Sequence, residues 1–386
     1  MTLSGGVLNR MTDRIALFLP SLACGGAQRA MLKLAGAFAE SGLDVDLVVA
    51  AAEGPYLSHV PPQVRLVDLA ASRVLASLPG LVRYLRQSRP VALLSAMEYA
   101  NLVALWARAL ARVSTRVVVS IRSTVSQDAA NGQPWRGRLA TAYAGSFYKM
   151  AQGVVAVSEG VADDFAKVTG FRRACIRTIY NPVVTPELLV LAQASLSHPW
   201  FTPGEPPVVL GVGRLTAAKD FPTLIQAFAR VRSQRPARLL IIGEGEKRSE
   251  LNAFVQRLGL AADVSLPGYV DNPFAYMHSC SAFVLSSISE GLPNSLIEAM
   301  ACGAPVISTD CPSGPAEILE GSRYGLLVPV GDVDAMAAAI SATLQNMPDT
   351  ARTIRRAEFF STASSAAQYL ELLLGGSAVG DTACAA

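Results

Sequence analysis

The chain has 386 residues, 51% hydrophobic, 16% charged and 7% aromatic, with a formal net charge of +3. That is chain enough for two ordinary domains with a large aliphatic core, and it excludes an intrinsically disordered protein. The net charge hides an asymmetry: residues 1–180 hold 20 basic and 11 acidic residues (+9), residues 181–386 hold 13 and 19 (−6), so the halves are expected to meet different partners.

Short apolar runs alternate with longer periodic segments, the pattern of a parallel sheet wrapped by helices. The run 15–24 (IALFLPSLAC) has the look of a signal core but is short, broken by Pro20 and preceded by Asp13, so it reads as a buried first strand. Strands are expected at 14–20, 44–50, 64–69, 91–96, 116–121 and 153–158, with a helix over 27–42 ending on Gly42. Seven arginines lie between 73 and 116 against one acid, Glu98. They read either as solvated helix faces or as a surface for anionic lipid headgroups or an anionic acceptor. No aromatic-basic repeat suggests nucleic acid, and no run of 18 uncharged apolar residues suggests a membrane span.

Proline-rich 181–206 reads as a linker between a first domain, 1–180, and a second, 207–357. In the second, strands are expected at 207–213, 238–245, 264–270, 281–288 and 304–309, and helices at 221–234, 246–260 and 294–303, the last closed by Gly303. An amphipathic helix follows at 358–376, then a disordered tail, 377–386. The architecture expected is α/β: two Rossmann-like domains facing each other across a cleft, with Gly25, Gly26, Gly213 and Gly243 at strand C-termini where such sheets bind ligands. Six cysteines, at 24, 175, 280, 302, 311 and 384, have neither C-x-x-C nor zinc spacing and read as small buried residues in a reducing compartment.

Four stretches carry chemistry. In SEGLPNSLIEAMACG (289–303), Glu290 follows a strand, Gly291 permits a close turn, and Asn294 or Ser295 would cap a helix whose free N–H groups suit a diphosphate. Glu298, one turn in, could reach ribose hydroxyls, although Ser295 to Glu298 also fits a capping box. In GVGRLTAAKD (211–220), Arg214 and Lys219 on one loop could clamp phosphates, or be two solvated cations. Gly25-Gly26 allows close backbone approach or merely a tight turn; without G-x-G-x-x-G, it is no dinucleotide fingerprint. Gly243, Glu244 and the backbone of Tyr269 and Val270 lie at the next two strand ends, near where a base could sit. No acidic pair of D-x-D type follows a strand, so no metal is expected.

Together these motifs resemble the retaining, nucleotide-sugar-dependent GT-B glycosyltransferases with an E-x7-E motif, matched by Glu290 and Glu298 across the block EGLPNSLIEAMACGAPVISTDCPSGPAEIL. The resemblance implies that Arg214 and Lys219 hold the donor diphosphate. It puts Glu298 at the ribose, Glu290 with Gly291, Leu292, Pro293 and Asn294 at the transferred sugar, and the last helix back on the first domain. It implies a UDP-sugar donor, a glycan or polyprenyl-linked acceptor, no cofactor and no metal, and a cytoplasmic enzyme at most peripheral at the inner face of the membrane. The family's acceptor-side histidine has no match among His59, His198 and His278; Arg122 stands there instead, either binding an acceptor phosphate or lying on the surface. Competing readings are a non-hydrolysing nucleotide-sugar epimerase, told apart by conversion of donor without acceptor, and a catalytically silent nucleotide-sugar-binding protein.

Overall fold

The structure is a computed structural model describing residues 14–23, 25–126, 145–346 and 348–375. The chain divides into two compact units, one running to Pro182 and resuming at Thr362, the other Val183–Ser361.

The first unit is built on a seven-stranded parallel sheet, β1 (Arg14–Leu19), β2 (Asp44–Val49), β3 (Arg65–Asp68), β4 (Ala92–Ala96), β5 (Arg116–Ile121), β6 (Gly153–Ala156) and β7 (Ile176–Thr178), in spatial order β3-β2-β1-β4-β5-β6-β7. Its central strands are apolar along their length because helices cover both faces. Its helices include α1 (Gly26–Glu40), α2 (Leu78–Ser88), α3 (Glu98–Ala111) and α4 (Glu159–Thr169). The terminal helix, Thr362–Leu373, also belongs here: Tyr369 is fully buried, and Arg116 Nε donates to Leu372 O at 2.8 Å. The order reverses between β1 and β4, which makes their C-terminal ends this sheet's switch point.

The second unit repeats the plan with six parallel strands, β8 (Val208–Val212), β9 (Arg238–Ile242), β10 (Val264–Gly268), β11 (Ala282–Leu285), β12 (Val306–Thr309) and β13 (Leu326–Val328), ordered β10-β9-β8-β11-β12-β13. Here the switch lies between β8 and β11.

Three expectations need correction. Segment 181–206 is not a linker: from Val183 on it folds into the second unit. Thr185 accepts the Leu188 N–H at 3.1 Å and caps a helix, α5 (Pro186–Ala192), whose Leu188 and Ala192 are buried; Asn272 Nδ2 holds its Leu191 carbonyl at 2.8 Å. His198 packs edge-on against Trp200, Phe201 and Tyr276. Two of the prolines that hid any periodicity, Pro186 and Pro199, sit at helix starts, where their fixed φ is favourable. The chain enters and leaves this unit side by side, for the N–H groups of Val183 and Val184 both donate to Phe360 O.

The cysteines also divide. Cys280, Cys302 and Cys311 are free and buried as expected, but Cys175 is half-buried and disulfide-bonded. Spacing along the chain carries no information on such a bond. Cys24, Cys384 and the tail lie outside the described residues. The third correction concerns the cap of the 294–303 helix, taken up below.

Candidate active site

The second unit gathers its glycines and charged residues at the C-terminal ends of adjacent strands. Beyond β8, Gly213 lets the aliphatic stem of Lys219 cross the strand end: a Cβ on Gly213 would lie 3.3 Å from Lys219 Cε and 3.4 Å from its Cδ. The ammonium thereby reaches across the switch point to Glu290, beyond β11, and the two form an ion pair. The pair is largely enclosed, with the Lys219 side chain 19% and that of Glu290 12% exposed. Ser287 Oγ donates to the same carboxylate oxygen, Oε1, at 2.7 Å, while Oε2 has no hydrogen-bond partner among the described residues. Glu290 is therefore oriented from one side and open on the other.

Support comes from groups that sequence reasoning missed. Ser286 Oγ donates to Lys219 O at 2.7 Å, and Ile288 N to Ala218 O at 2.9 Å, so the two loops are stitched together by backbone as well as charge. Thr309 Oγ1 donates to Ser287 O at 2.5 Å from the end of β12. The only signal was two serines, Ser286 and Ser287, replacing apolar residues where a buried strand ends; both are buried.

The helix after Glu290 is Asn294–Ala301, and its N-cap is Pro293. Neither Asn294 nor Ser295 caps it: Ser295 lies inside the first turn, so the expected capping box with Glu298 does not form. The helix starts two residues too early for that register, and Pro293 brings no side-chain acceptor to the first turn. This end carries the positive pole of the peptide dipoles. A loop from β12 closes over the turn: Gly314 has φ +98°, and a Cβ there would sit 2.5 Å from Pro293 Cδ, so only glycine fits. Leu292 and Glu298 are buried, Gly291 and Asn294 half-buried. Burial, aided by the nearby Glu298 charge, pushes the Cys302 thiol up to about 12. Burial and the Glu290 charge do the same for Cys311, placing that thiol beside the ion pair.

Arg214 shares the Lys219 loop but differs in state: it is exposed, and its guanidinium has no partner among the described residues. On the other side of β8, Gly243 has φ +144° and lies against Gly213, whose carbonyl oxygen would be 1.9 Å from an added Cβ. Gly243 N donates to Gly268 O at 2.9 Å, which ties the ends of β9 and β10. Glu244 is paired with Arg248 at 2.7 Å, and Arg248 Nη2 donates to Leu266 O at 2.7 Å. Tyr269 is 74% exposed and Val270 half-buried. Among the described residues no group of three His, Cys, Asp or Glu side chains gathers.

The remaining candidates lie in the first unit. Gly25 precedes α1 and Gly26 opens it; a Cβ on Gly25 would meet Gln28 Oε1 at 2.5 Å, and Gln28 Nε2 reaches Met97 Sδ at 3.8 Å across the β1/β4 switch point. Arg122 follows β5 and is half-buried rather than on the surface. Its Nη1 donates to Ser120 Oγ at 3.4 Å, beside Tyr369, and its Nη2 is buried with no partner among the described residues. Burial lowers its pKa, with Tyr369 opposing.

Two doubly wound parallel sheets with these strand-end loops define the GT-B fold. HepE from Anabaena, solved in complex with UDP and glucose, shares it with a TM-score of 0.75 at 20% identity, over 94% of this chain and 100% of its own. The sucrose-phosphate synthase from Thermosynechococcus elongatus gives 0.77 at 21% identity, over 95% and 100%. Residues 24–186 match the model of Glycosyltransferase Family 4 and residues 206–346 that of Glycosyl transferases group 1, so each half resembles a glycosyltransferase domain. A Campylobacter jejuni relative, named an N-acetylgalactosamine-N,N'-diacetylbacillosaminyl-diphospho-undecaprenol 4-alpha-N-acetylgalactosaminyltransferase, is 36% identical over 173 residues, 43% of this chain and 46% of that protein. The lipopolysaccharide core biosynthesis glycosyltransferase LpsE of Rhizobium meliloti is 32% identical over 213 residues, 55% of this chain and 59% of its own. The alignments thus span about half the length of these curated relatives.

Proposed function

We propose that this chain is a retaining glycosyltransferase that moves a sugar from a UDP-sugar to a glycan or polyprenyl-linked glycan, in the synthesis of a surface polysaccharide or glycoconjugate, without a metal. The observation that carries the reading is the Lys219–Glu290 pair across the β8/β11 switch point, flanked by an Arg214 with no partner among the described residues and a helix end without a side-chain cap. A nucleoside diphosphate leaving group needs positive charge where the sugar–oxygen bond breaks, and these three features supply it without proton chemistry. Arg214 offers a fork and Lys219 a point charge.

In the reaction, the acceptor hydroxyl oxygen bonds to the sugar's anomeric carbon as the bond from that carbon to the β-phosphate oxygen breaks. The hydroxyl proton passes to the departing phosphate oxygen. Glu290, held through Oε1 by Lys219 and Ser287, turns Oε2 to the sugar hydroxyls. Glu298 takes the ribose, with Glu244, Tyr269 and Val270 near the base. The buried Nη2 of Arg122, without a partner among the described residues, takes an acceptor phosphate. The named substrates of the Campylobacter relative and the UDP held by HepE support the acceptor and donor classes.

The test is calorimetry with UDP, then transfer from UDP-sugars to lipid-linked glycans followed by mass spectrometry, with and without EDTA. Arg214→Ala should lower kcat/KM about 10²-fold, a loss of a few kcal/mol of transition-state stabilisation. Undiminished transfer by that variant, inversion at the anomeric carbon, or dependence on a divalent cation would each contradict the mechanism. Conversion of UDP-sugar to an epimer without acceptor would replace the reading altogether.

A further inference from the structure

Beyond β12 the chain forms a loop, 310–314, and a short helix, Pro315–Leu319. The loop lies on the turn between Glu290 and the 294–301 helix: a Cβ on Gly314 would meet Pro293 Cδ at 2.5 Å, Leu292 Cα at 3.3 Å and Gly291 O at 3.6 Å. Its backbone is unusual, with Ser313 at φ +67° and Gly314 at φ +98° in succession. Two left-handed residues in a row, one of them with a side chain, cost free energy and persist only where the surroundings fix both ends. One end is fixed by β12. The other depends on the short helix, which has too few hydrogen bonds of its own to be stable alone.

Arg356 fixes that helix from outside. It stands on the helix Ala351–Glu358, with its side chain only 13% exposed. The last carbonyls of a helix have no partner within it. Here Gly321 N donates to Ala316 O at 2.9 Å, and Arg323 N and Tyr324 N donate to Leu319 O at 3.1 and 3.2 Å. The two carbonyls between them, Glu317 O and Ile318 O, accept from Arg356 Nη2 at 2.8 Å and Nε at 3.0 Å. Nη1 pairs at 3.2 Å with Glu320, the C-cap residue, itself at φ +46°. All three nitrogens are engaged, a fork that a lysine does not reproduce. The guanidinium also lies 5.0 and 5.1 Å from the ring centres of Phe359 and Phe360. Phe360 O accepts from the N–H groups of Val183 and Val184, so the anchor is the place where the chain enters and leaves this unit. On the same helix, Ile354 backs the 294–301 helix: a Cβ on Gly303 would lie 3.4 Å from Ile354 Cδ1.

We propose that Arg356 is a positioning residue for sugar transfer. Through the Pro315–Leu319 helix it sets the 310–314 loop, and the loop sets the 291–293 turn and the free N–H groups that begin the 294–301 helix. It acts through backbone rather than by touching the donor. The inference rests on the reading that this turn holds the donor. A shift of about 1 Å in groups that stabilise the departing diphosphate is enough to cost roughly 10²-fold in rate.

Calorimetry with UDP, transfer kinetics from UDP-sugars and hydrogen exchange by mass spectrometry, all on the full chain, test it. Arg356→Met should raise the Kd for UDP about tenfold, the size of one charge-assisted hydrogen bond. It should lower kcat/KM for the donor roughly 10²-fold and leave KM for the acceptor unchanged. Arg356→Lys, which keeps the charge without the fork, should fall between variant and parent. Exchange in Arg356→Met should quicken at 311–319 and 291–296 together while the strands stay protected. An arginine that only stabilises the fold would lower the urea midpoint and loosen 315–323, but leave UDP affinity, donor kcat/KM and exchange at 291–296 as in the parent. That result would overturn the proposal. Should Arg356→Met not fold, Arg356→Lys and Glu320→Gln carry the same comparison. If Arg214→Ala binds UDP and turns over like the parent, the donor assignment fails and takes this inference with it. If Arg214→Ala loses both while the Arg356 variants keep them, only the role of Arg356 is removed.

Discussion

Replacing Lys219 by methionine separates what the ion pair does for the fold from what it does for catalysis. Removing one member of a buried pair costs about 3–5 kcal/mol because the other is left charged and unpaired, whereas an exposed pair contributes roughly 0–1 kcal/mol. With side chains 19% and 12% exposed, this pair stands nearer the buried limit, and Ser287 remains as a donor to Glu290. Lys219→Met should therefore destabilise the ligand-free protein by about 2–3 kcal/mol, and Glu290→Gln by somewhat less, since an amide still accepts from the lysine. The double variant should come back to within about 1 kcal/mol of the parent, a coupling of about 3 kcal/mol in a double-mutant cycle. Activity should not follow stability: each single variant and the double should lose about 10²-fold or more in kcat/KM. Equilibrium urea unfolding without donor gives the first set of numbers, and steady-state transfer the second. Additive stabilities with no coupling would show that the two residues do not pair in the free protein. Near-normal turnover by Lys219→Met would remove the lysine from the diphosphate site.

Ser287→Ala removes a 2.7 Å donor from Glu290 but no atom that meets the donor sugar; kcat should fall roughly tenfold, the worth of one charge-assisted hydrogen bond, with little change in UDP affinity by calorimetry. Gly243→Ala forces a Cβ to within 1.9 Å of Gly213 O at φ +144°; thermal unfolding should show a loss of about 3 kcal/mol or more, together with loss of UDP binding. The thiols of Cys302 and Cys311 are pushed up to about 12 by burial, from 9.0 when exposed. Folding therefore favours their protonated forms. Their contribution is intact below pH 9 and is lost as pH climbs from about 9 to about 12. At pH 8 iodoacetamide should spare both thiols in the native chain and label them rapidly in urea, as mass spectrometry would show.

Much of the scaffold was legible because it is local. The helix at 221–234 announces itself by an apolar period of 3.6 and Pro222 in its first turn, and the 294–301 helix by Gly303 behind it, which has φ +81°. The apolar runs before Gly213 and Gly243 are strands because both faces of a parallel sheet are buried. Strands β7 and β13 were not legible: at three residues each they are too short to display a period. Helix α5 was hidden by the prolines that start it.

The sequence by itself determined which residue types stand at which strand ends: glycines where backbones approach, arginine and lysine on one loop, glutamates on another. Only the tertiary structure decided that Lys219 and Glu290, 71 positions apart, touch, that Ser287 and Thr309 brace them, and that Gly314 covers Pro293. The physical reason is range. Propensity, periodicity and capping act over a turn or two of chain, whereas the neighbour of a strand end is set by strand order. That order follows from how the whole sheet buries its apolar faces, and it puts β11 beside β8 with two strands and their helices intervening in sequence.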